Sequence, residues 1–325
     1  MTKRKGMSVG QTIGGIVVGF DQQIFRTTPP VNELVAKGTP LRAVASAGGT
    51  LAVGMPGDSP EEPDAMHLGA AGVDVIVDLV NGGRLASVIV NGRELLVTRN
   101  DDPLGWGSYP MAPYAGRVRN GQFTFLGQTY ALPIGMPPHA IHGSVFHRRW
   151  RAIDDRTIET QLGPDWPFAG RVVQRFDLEP GLLRVRMALH ADEPMPASIG
   201  WHPWFARRPD GDPATDVQLV FDAAAAYAKD ADGVASRRRV PIPPGPWDDA
   251  FTDLRQPPVL RWPGFLELTI ESGCRDWVVY TEPAHALCVE PQTAPPDALN
   301  QDPTTVEPGT PLTAEMTWRW RSLAD

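Results

Sequence analysis

Cysteine is nearly absent from this chain. Its 325 residues include two, Cys274 and Cys288, too few for a disulfide framework or, on their own, a structural zinc site. Both read as reduced thiols, which suits a cytoplasmic protein. No segment approaches the roughly 18–20 consecutive apolar residues that cross a bilayer as a helix, so no membrane partner is expected. Lys3, Arg4 and Lys5 ahead of the apolar stretch 13–20 imitate a secretory leader. That stretch is short, however, Asp21 follows it, and no small-residue cleavage site comes next. There is no Asn-x-Ser/Thr sequon. Basic charge is also in deficit: 30 Lys+Arg face 38 Asp+Glu, for a net charge of −8. That balance argues against nucleic acid as a partner. A Gly-x-x-x-x-Gly-Lys-Ser/Thr loop, a Gly-x-Ser-x-Gly elbow and a His-Glu-x-x-His helix are all missing. Nucleotide-dependent phosphoryl transfer, serine-esterase chemistry and zinc proteolysis therefore have no foothold.

Long helices are missing as well. No window of a dozen residues shows a clean 3.6 period, and 32 Gly with 34 Pro interrupt the chain throughout. What is present is the period-2 texture of strands. VDVIVDLV (73–80) runs into Asn81-Gly82-Gly83, and RLASVIV (84–90) into Asn91-Gly92, followed by ELLVT (94–98). Both junctions are hairpin signals. Further strands are predicted at 122–127, 128–133, 171–179, 182–191, 216–222, 266–272, 276–282, 286–291 and 312–321. In LLRVRMALHA, Arg184 and Arg186 point one way and Leu183, Val185 and Met187 the other, as in a half-buried strand. The fold class is therefore all-β, a large antiparallel sandwich over about 66–325. Residues 1–65 differ. They are poor in aromatics and end in the Pro- and acid-rich run 58–64, and they read as a loosely packed extension or an overlong start, with Met66 as an alternative first residue. The stretch 13–20 is the part that could add an edge strand.

Among the 7 histidines, His139 and His142 sit three apart in PPHAIHG, but no further ligand stands at metal-binding spacing. His202 lies in SIGWHPWF between Trp201 and Trp204. It is either a satisfied histidine in an aromatic strand or an acid–base group lined by indole faces. Glu290, in ALCVEPQT, ends an apolar strand that Pro291 stops. It is either an exposed strand-end carboxylate or a partly desolvated one with a raised pKa, suited to proton transfer near neutrality. Asp248 and Asp249 precede Phe251, and Arg117 lies in YAGRVRNGQF as a turn-side cation or a fork for hydroxyls.

Taken in order, 110–133, AIHGSVFHRRW (140–150), IGWHPWF (199–205), PWDDAFTDL (246–254) and CVEPQTAPPDALN (288–300) resemble the aldose 1-epimerases, or galactose mutarotases. The resemblance covers about 70–321. It implies an antiparallel β-sandwich with its site on a concave sheet face, and interconversion of the α and β anomers of a free aldose without any cofactor or metal. It implies that His202 protonates the ring oxygen and that Glu290 takes the proton from the C1 hydroxyl. It further implies that Arg117, His142 and Asp248 bind the sugar. Asp248 is chosen over Asp249 because it lies three residues before Phe251. Acid and base are expected on opposite sides of the ring, with pKa values near 7 and 6. Two departures, Trp204-Phe205-Ala206-Arg207 after the histidine motif and His142-Gly143-Ser144 at the binding histidine, alter the pocket wall and leave the sugar open. Three rivals stand beside this reading. A hexose-6-phosphate 1-epimerase would take its phosphate on Arg119, Arg148, Arg149 or 237–239. A non-catalytic carbohydrate-binding protein would need neither His202 nor Glu290. A glycoside hydrolase would need a second carboxylate beside Glu290. Oligomeric state is not legible.

Overall fold

The computed structural model describes residues 62–323. The expectations for residues 1–61, including the edge strand at 13–20, lie outside the described residues. Two antiparallel sheets dominate, one of eleven strands and one of eight. Among the described residues the only α-helix is the four-residue turn Ala298–Gln301. The all-β sandwich expected from the texture is the fold.

The turn signals act as their residue types require. Asn91 and Gly92, with φ of 48° and 78°, join the strand Arg84–Val90 to Arg93–Glu94. Positive φ at both central positions matches the right-handed twist of the strands they connect. After Val73–Asp78, the Asp78 carboxylate accepts from the backbone N–H groups of Val80 and Asn81, and this fixes the reversal. Met66 lies inside the first strand, Ala65–Ala70, buried and paired with Val77. Just before it, Asp64 accepts from the N–H of Leu79 and from Arg149.

Alternation along the strands sorts side chains into one large core between the sheets and smaller clusters beside it. In Leu182–Ala191 the residues Leu183, Val185 and Met187 turn inward, and the arginines between them turn out. From the larger sheet Val75, Val88, Trp201, Phe205, Leu287 and Val289 meet Val172, Phe176, Val185, Leu268 and Trp318 of the smaller one. Burying such side chains stabilises the sandwich by roughly 1.5–3 kcal/mol each.

Some strands are shorter than the pattern implied. Only Arg93–Glu94 of the 94–98 region is a strand, with an isolated bridge from Leu96 to Phe205, and 216–222 contracts to Gln218–Val220. Others carry no period-2 signal. Ser108–Met111 (SYPM) is buried at every position, and Asp248–Leu254 opens with two acids. The first, covered on both faces, loses the alternation that would reveal it. These two strands build the site together with Gly200–Ala206, Asp276–Tyr280 and Ala286–Gln292.

Candidate active site

Strand register assembles the site. Across the larger sheet, Tyr109 stands opposite His202, and the pairs Gly200–Gln292 and Trp204–Cys288 bracket His202 directly against Glu290. Glu290 in turn pairs with Val278. One step along, Trp204, Cys288, Tyr280 and Asp248 form a parallel row. Cross-strand partners share a face, so all of these side chains turn away from the sandwich core. All of them except Cys288, which lies beneath its wall, border a cavity of about 230 Å³. Arg117, from the short strand Arg117–Val118, and the loop residues Met136, His142 and Pro296 add to its wall. Thus His202, Glu290, Arg117, His142 and Asp248, scattered over 174 positions of sequence, come together at one place.

His202 and Glu290 are in contact, with Nε2 and Oε1 3.3 Å apart. Both side chains are buried. The Gln292 side-chain amide donates to the other Glu290 oxygen at 3.2 Å. This corrects the expected placement of acid and base on opposite sides of a ring: residues directly across one antiparallel pair cannot have a sugar between them. Of the two tryptophans flanking His202 in sequence, only Trp204 stacks on it, at 5.3 Å between centroids. Alternation sends Trp201 to the core, where its indole N–H donates to Gln174. Tyr109 also stacks on the imidazole, with centroids 4.8 Å apart.

Burial also corrects the expected pKa values. It pushes the His202 imidazole down to about 3. It pushes the Glu290 carboxyl well above its ordinary range, and the negative charge of Asp248 adds to the effect. Each group resists its charged form because burial strips it of hydration. The pair is thus a neutral unit that holds one proton, as carboxyl with imidazole or as carboxylate with imidazolium. Such a unit can take a proton from one oxygen and give one to its neighbour without changing net charge.

His142 is held by an unusual backbone. Its φ is +59°, and the following Gly143 has φ +79°, where a Cβ would lie 2.0 Å from the Ala112 carbonyl oxygen. The His142 N–H donates to the Gly116 carbonyl at 3.0 Å. Left-handed conformations at a non-glycine residue cost energy and gather at functional sites. The ring stands edge-on to His202 at 5.0 Å, and its Nδ1 has no hydrogen-bond partner among the described residues. Burial, with His202 and Arg117 nearby, holds it neutral. His139 has a different role: its Nδ1 accepts from the N–H of Asn120 and secures a turn.

Arg117 Nη2 lies 3.5 Å from Asp248 Oδ2 across the cavity. Asp249 is instead 3.1 Å from Lys229 Nζ, which also donates to the Asp248 carbonyl. Both carboxylates border the cavity. Sequence reading did not single out Tyr109, Lys229, Tyr280 or Gln292. Gln292 stands two residues beyond Glu290 in the same motif and so on the same strand face, a signal that was available.

The fold and the site together define an antiparallel β-sandwich with a buried His–Glu pair on the wall of a cavity. The aldose 1-epimerase family model matches residues 69–319, and the chain belongs to that family. A curated relative is the uncharacterised protein YphB of Escherichia coli K12, 28% identical over 108 residues, which are 31% of this chain and 37% of that protein. The chain therefore spans well under half the length of the curated relative it matches. Galactose 1-epimerase from Lactobacillus acidophilus superposes with a TM-score of 0.66 at 17% identity, over 82% of this chain and 97% of that one. A galactose mutarotase-like protein from Clostridium acetobutylicum gives 0.68 at 14% identity, over 79% and 95%. These structures share the fold.

Proposed function

We propose that this protein is an aldose 1-epimerase that interconverts the α and β anomers of a free aldose. The observation that carries the reading is the 3.3 Å contact of His202 with Glu290 on the cavity floor. In a hemiacetal, O1 and the ring oxygen O5 are bonded to the same carbon. Acid and base side by side therefore reach both from one face of the sugar. In ring opening the Glu290 carboxylate takes the O1 proton, the C1–O5 bond breaks and the His202 imidazolium protonates O5. The pair is left as carboxyl and neutral imidazole, the form that burial favours. After rotation about C1–C2, closure on the other face of the aldehyde runs the transfers backwards and restores the starting state. Each positioned acid or base contributes about 10²–10⁴ in rate, and holding the sugar in register adds to this. Arg117, Asp248 and His142 are placed to bind its hydroxyls.

Four of the cations that could hold a phosphate are engaged with carboxylates. Arg119 pairs with Asp230 and Asp232, Arg149 with Glu62 and Asp64, Arg237 with Asp302, and Arg239 with Asp253. A cytoplasmic location fits the two free thiols, Cys274 and Cys288. Among the described residues no helix is long and apolar enough to cross a membrane. The test is anomer exchange measured for the purified protein over a panel of aldoses and their 6-phosphates. Faster equilibration of a free sugar supports the reading. Acceleration restricted to phosphorylated sugars, or none at all, overturns it.

A further inference from the structure

Cys288 has no part in the proton transfers just described, yet it shares their face of the sheet. It lies two residues before Glu290 on the same strand and opposite Trp204. One ligand atom from each of His202, Cys288 and Glu290 falls within 4.8 Å of the others, and all three residues are buried. The His–Glu contact of 3.3 Å already matches the donor spacing around a tetrahedral ion, roughly 3.3–3.8 Å for bonds of 2.0–2.3 Å. A rotation that brings the sulfur in by about 1 Å completes three corners of such a site. The cavity beside His202 and Glu290 leaves the fourth corner open to water.

We propose that His202, Cys288 and Glu290 form a binding site for a thiophilic divalent cation of the zinc and cadmium type, and that its occupancy blocks the sugar site. The donor set makes the choice of metal. A thiolate, an imidazole and one carboxylate favour zinc over the oxygen-seeking magnesium and calcium. Charge balances in the buried site: the divalent ion displaces the thiol proton and the one proton of the His–Glu pair, and thiolate and carboxylate neutralise it. The bound ion takes the His202 and Glu290 atoms that would exchange protons with the sugar. It is therefore an inhibitor that competes with substrate and not a cofactor.

Metal binding stands on the geometry alone, while the inhibition rests on the proposed epimerase reaction, and the two are read separately. The full-length protein is titrated with cadmium chloride and followed by the ultraviolet thiolate-to-cadmium charge-transfer band. One equivalent should produce the band in wild type and in Cys274→Ser, and the band should be lost in Cys288→Ser. Glu290→Gln, which leaves the thiol in place, should weaken cadmium binding by about tenfold or more. In the exchange assay zinc chloride should inhibit competitively with sugar and chelator should reverse it. Cys288→Ser should keep the basal rate and resist zinc by about tenfold or more. A band that persists in Cys288→Ser, or cadmium affinity unchanged in Glu290→Gln, overturns the site. Zinc inhibition undiminished in Cys288→Ser overturns the block. If no sugar is exchanged, the epimerase reading fails and the cadmium band still decides the site. Should Cys288→Ser not fold, Cys288→Ala takes its place.

Discussion

The outer face of the smaller sheet and the cavity face of the larger one both carry ionisable side chains, and they treat them in opposite ways. On the outer face Arg186 bonds Glu315 and Asp177, Arg319 bonds Glu271, and Arg321 bonds Glu267. These arginines are 43–65% exposed. Water screens such pairs, and each is worth only about 0–1 kcal/mol. On the cavity face His202 and Glu290 meet with side chains 8% and 2% exposed. Their separation is similar, but the medium differs. There the desolvation penalty dominates, and charge is suppressed and becomes a movable proton. Exposed pairs leave each charge fixed at little cost, and the buried pair is destabilising as a structure but useful as chemistry.

The largest test of this contrast removes the movable proton. Glu290→Gln and His202→Asn should each lower kcat for anomer exchange about 10²-fold or more with the fold intact by circular dichroism. A near-wild-type rate in either variant would remove that residue from the reaction. Gly143→Ala comes next. A Cβ 2.0 Å from the Ala112 oxygen at φ +79° should cost about 2–3 kcal/mol in denaturant unfolding and raise KM through a displaced His142. Unchanged stability would mean the loop yields freely.

Linkage sharpens the comparison. Glu290 keeps its proton in the folded state, whereas the unfolded carboxyl loses it above its ordinary value of 4.5. The folded state then binds more protons, so this group's contribution falls as pH rises past 4.5. His202 is the reverse: folded it stays neutral down to about 3, while the unfolded imidazole takes a proton below 6.5, so its cost grows as pH falls from 6.5 towards 3. Glu290→Gln should therefore be more stable than wild type, by a margin that widens as pH rises above 4.5. The margin of His202→Asn should widen as pH falls below 6.5. Thermal unfolding across pH checks both, and margins independent of pH would mean that the two groups titrate normally. Arg117→Ala should raise KM about tenfold with a smaller fall in kcat, since it removes a positioning group. At the small end, Arg319→Ala on the outer face should change stability by no more than about 1 kcal/mol, less at high salt, and leave kcat untouched.

Legibility follows the same divide. The half-buried strands of the smaller sheet, such as Leu182–Ala191, announce themselves by alternation because one side is wet. The strands that carry the site do not. Gly200–Ala206 is buried at six successive positions and Ala286–Gln292 at all seven. Their residues were found through the resemblance of whole motifs and not through period. Tyr109 escaped because SYPM offers neither alternation nor a motif, and Lys229 because its partner, Asp249, is distant in sequence.

By itself the sequence determined the sheet class, the turn positions, the family and the five residues that meet in the cavity. The first two follow from local chemistry, hydrophobic period and the φ preferences of Asn and Gly, and the last two from the resemblance of whole motifs to a family. Only the tertiary structure decided that His202 and Glu290 touch, that Trp204 and not Trp201 covers the imidazole, that Cys288 stands beside them, and which way the pKa values move. These depend on register between strands about 90 residues apart and on how much water the fold excludes. A one-residue slip would turn every one of these side chains to the other face.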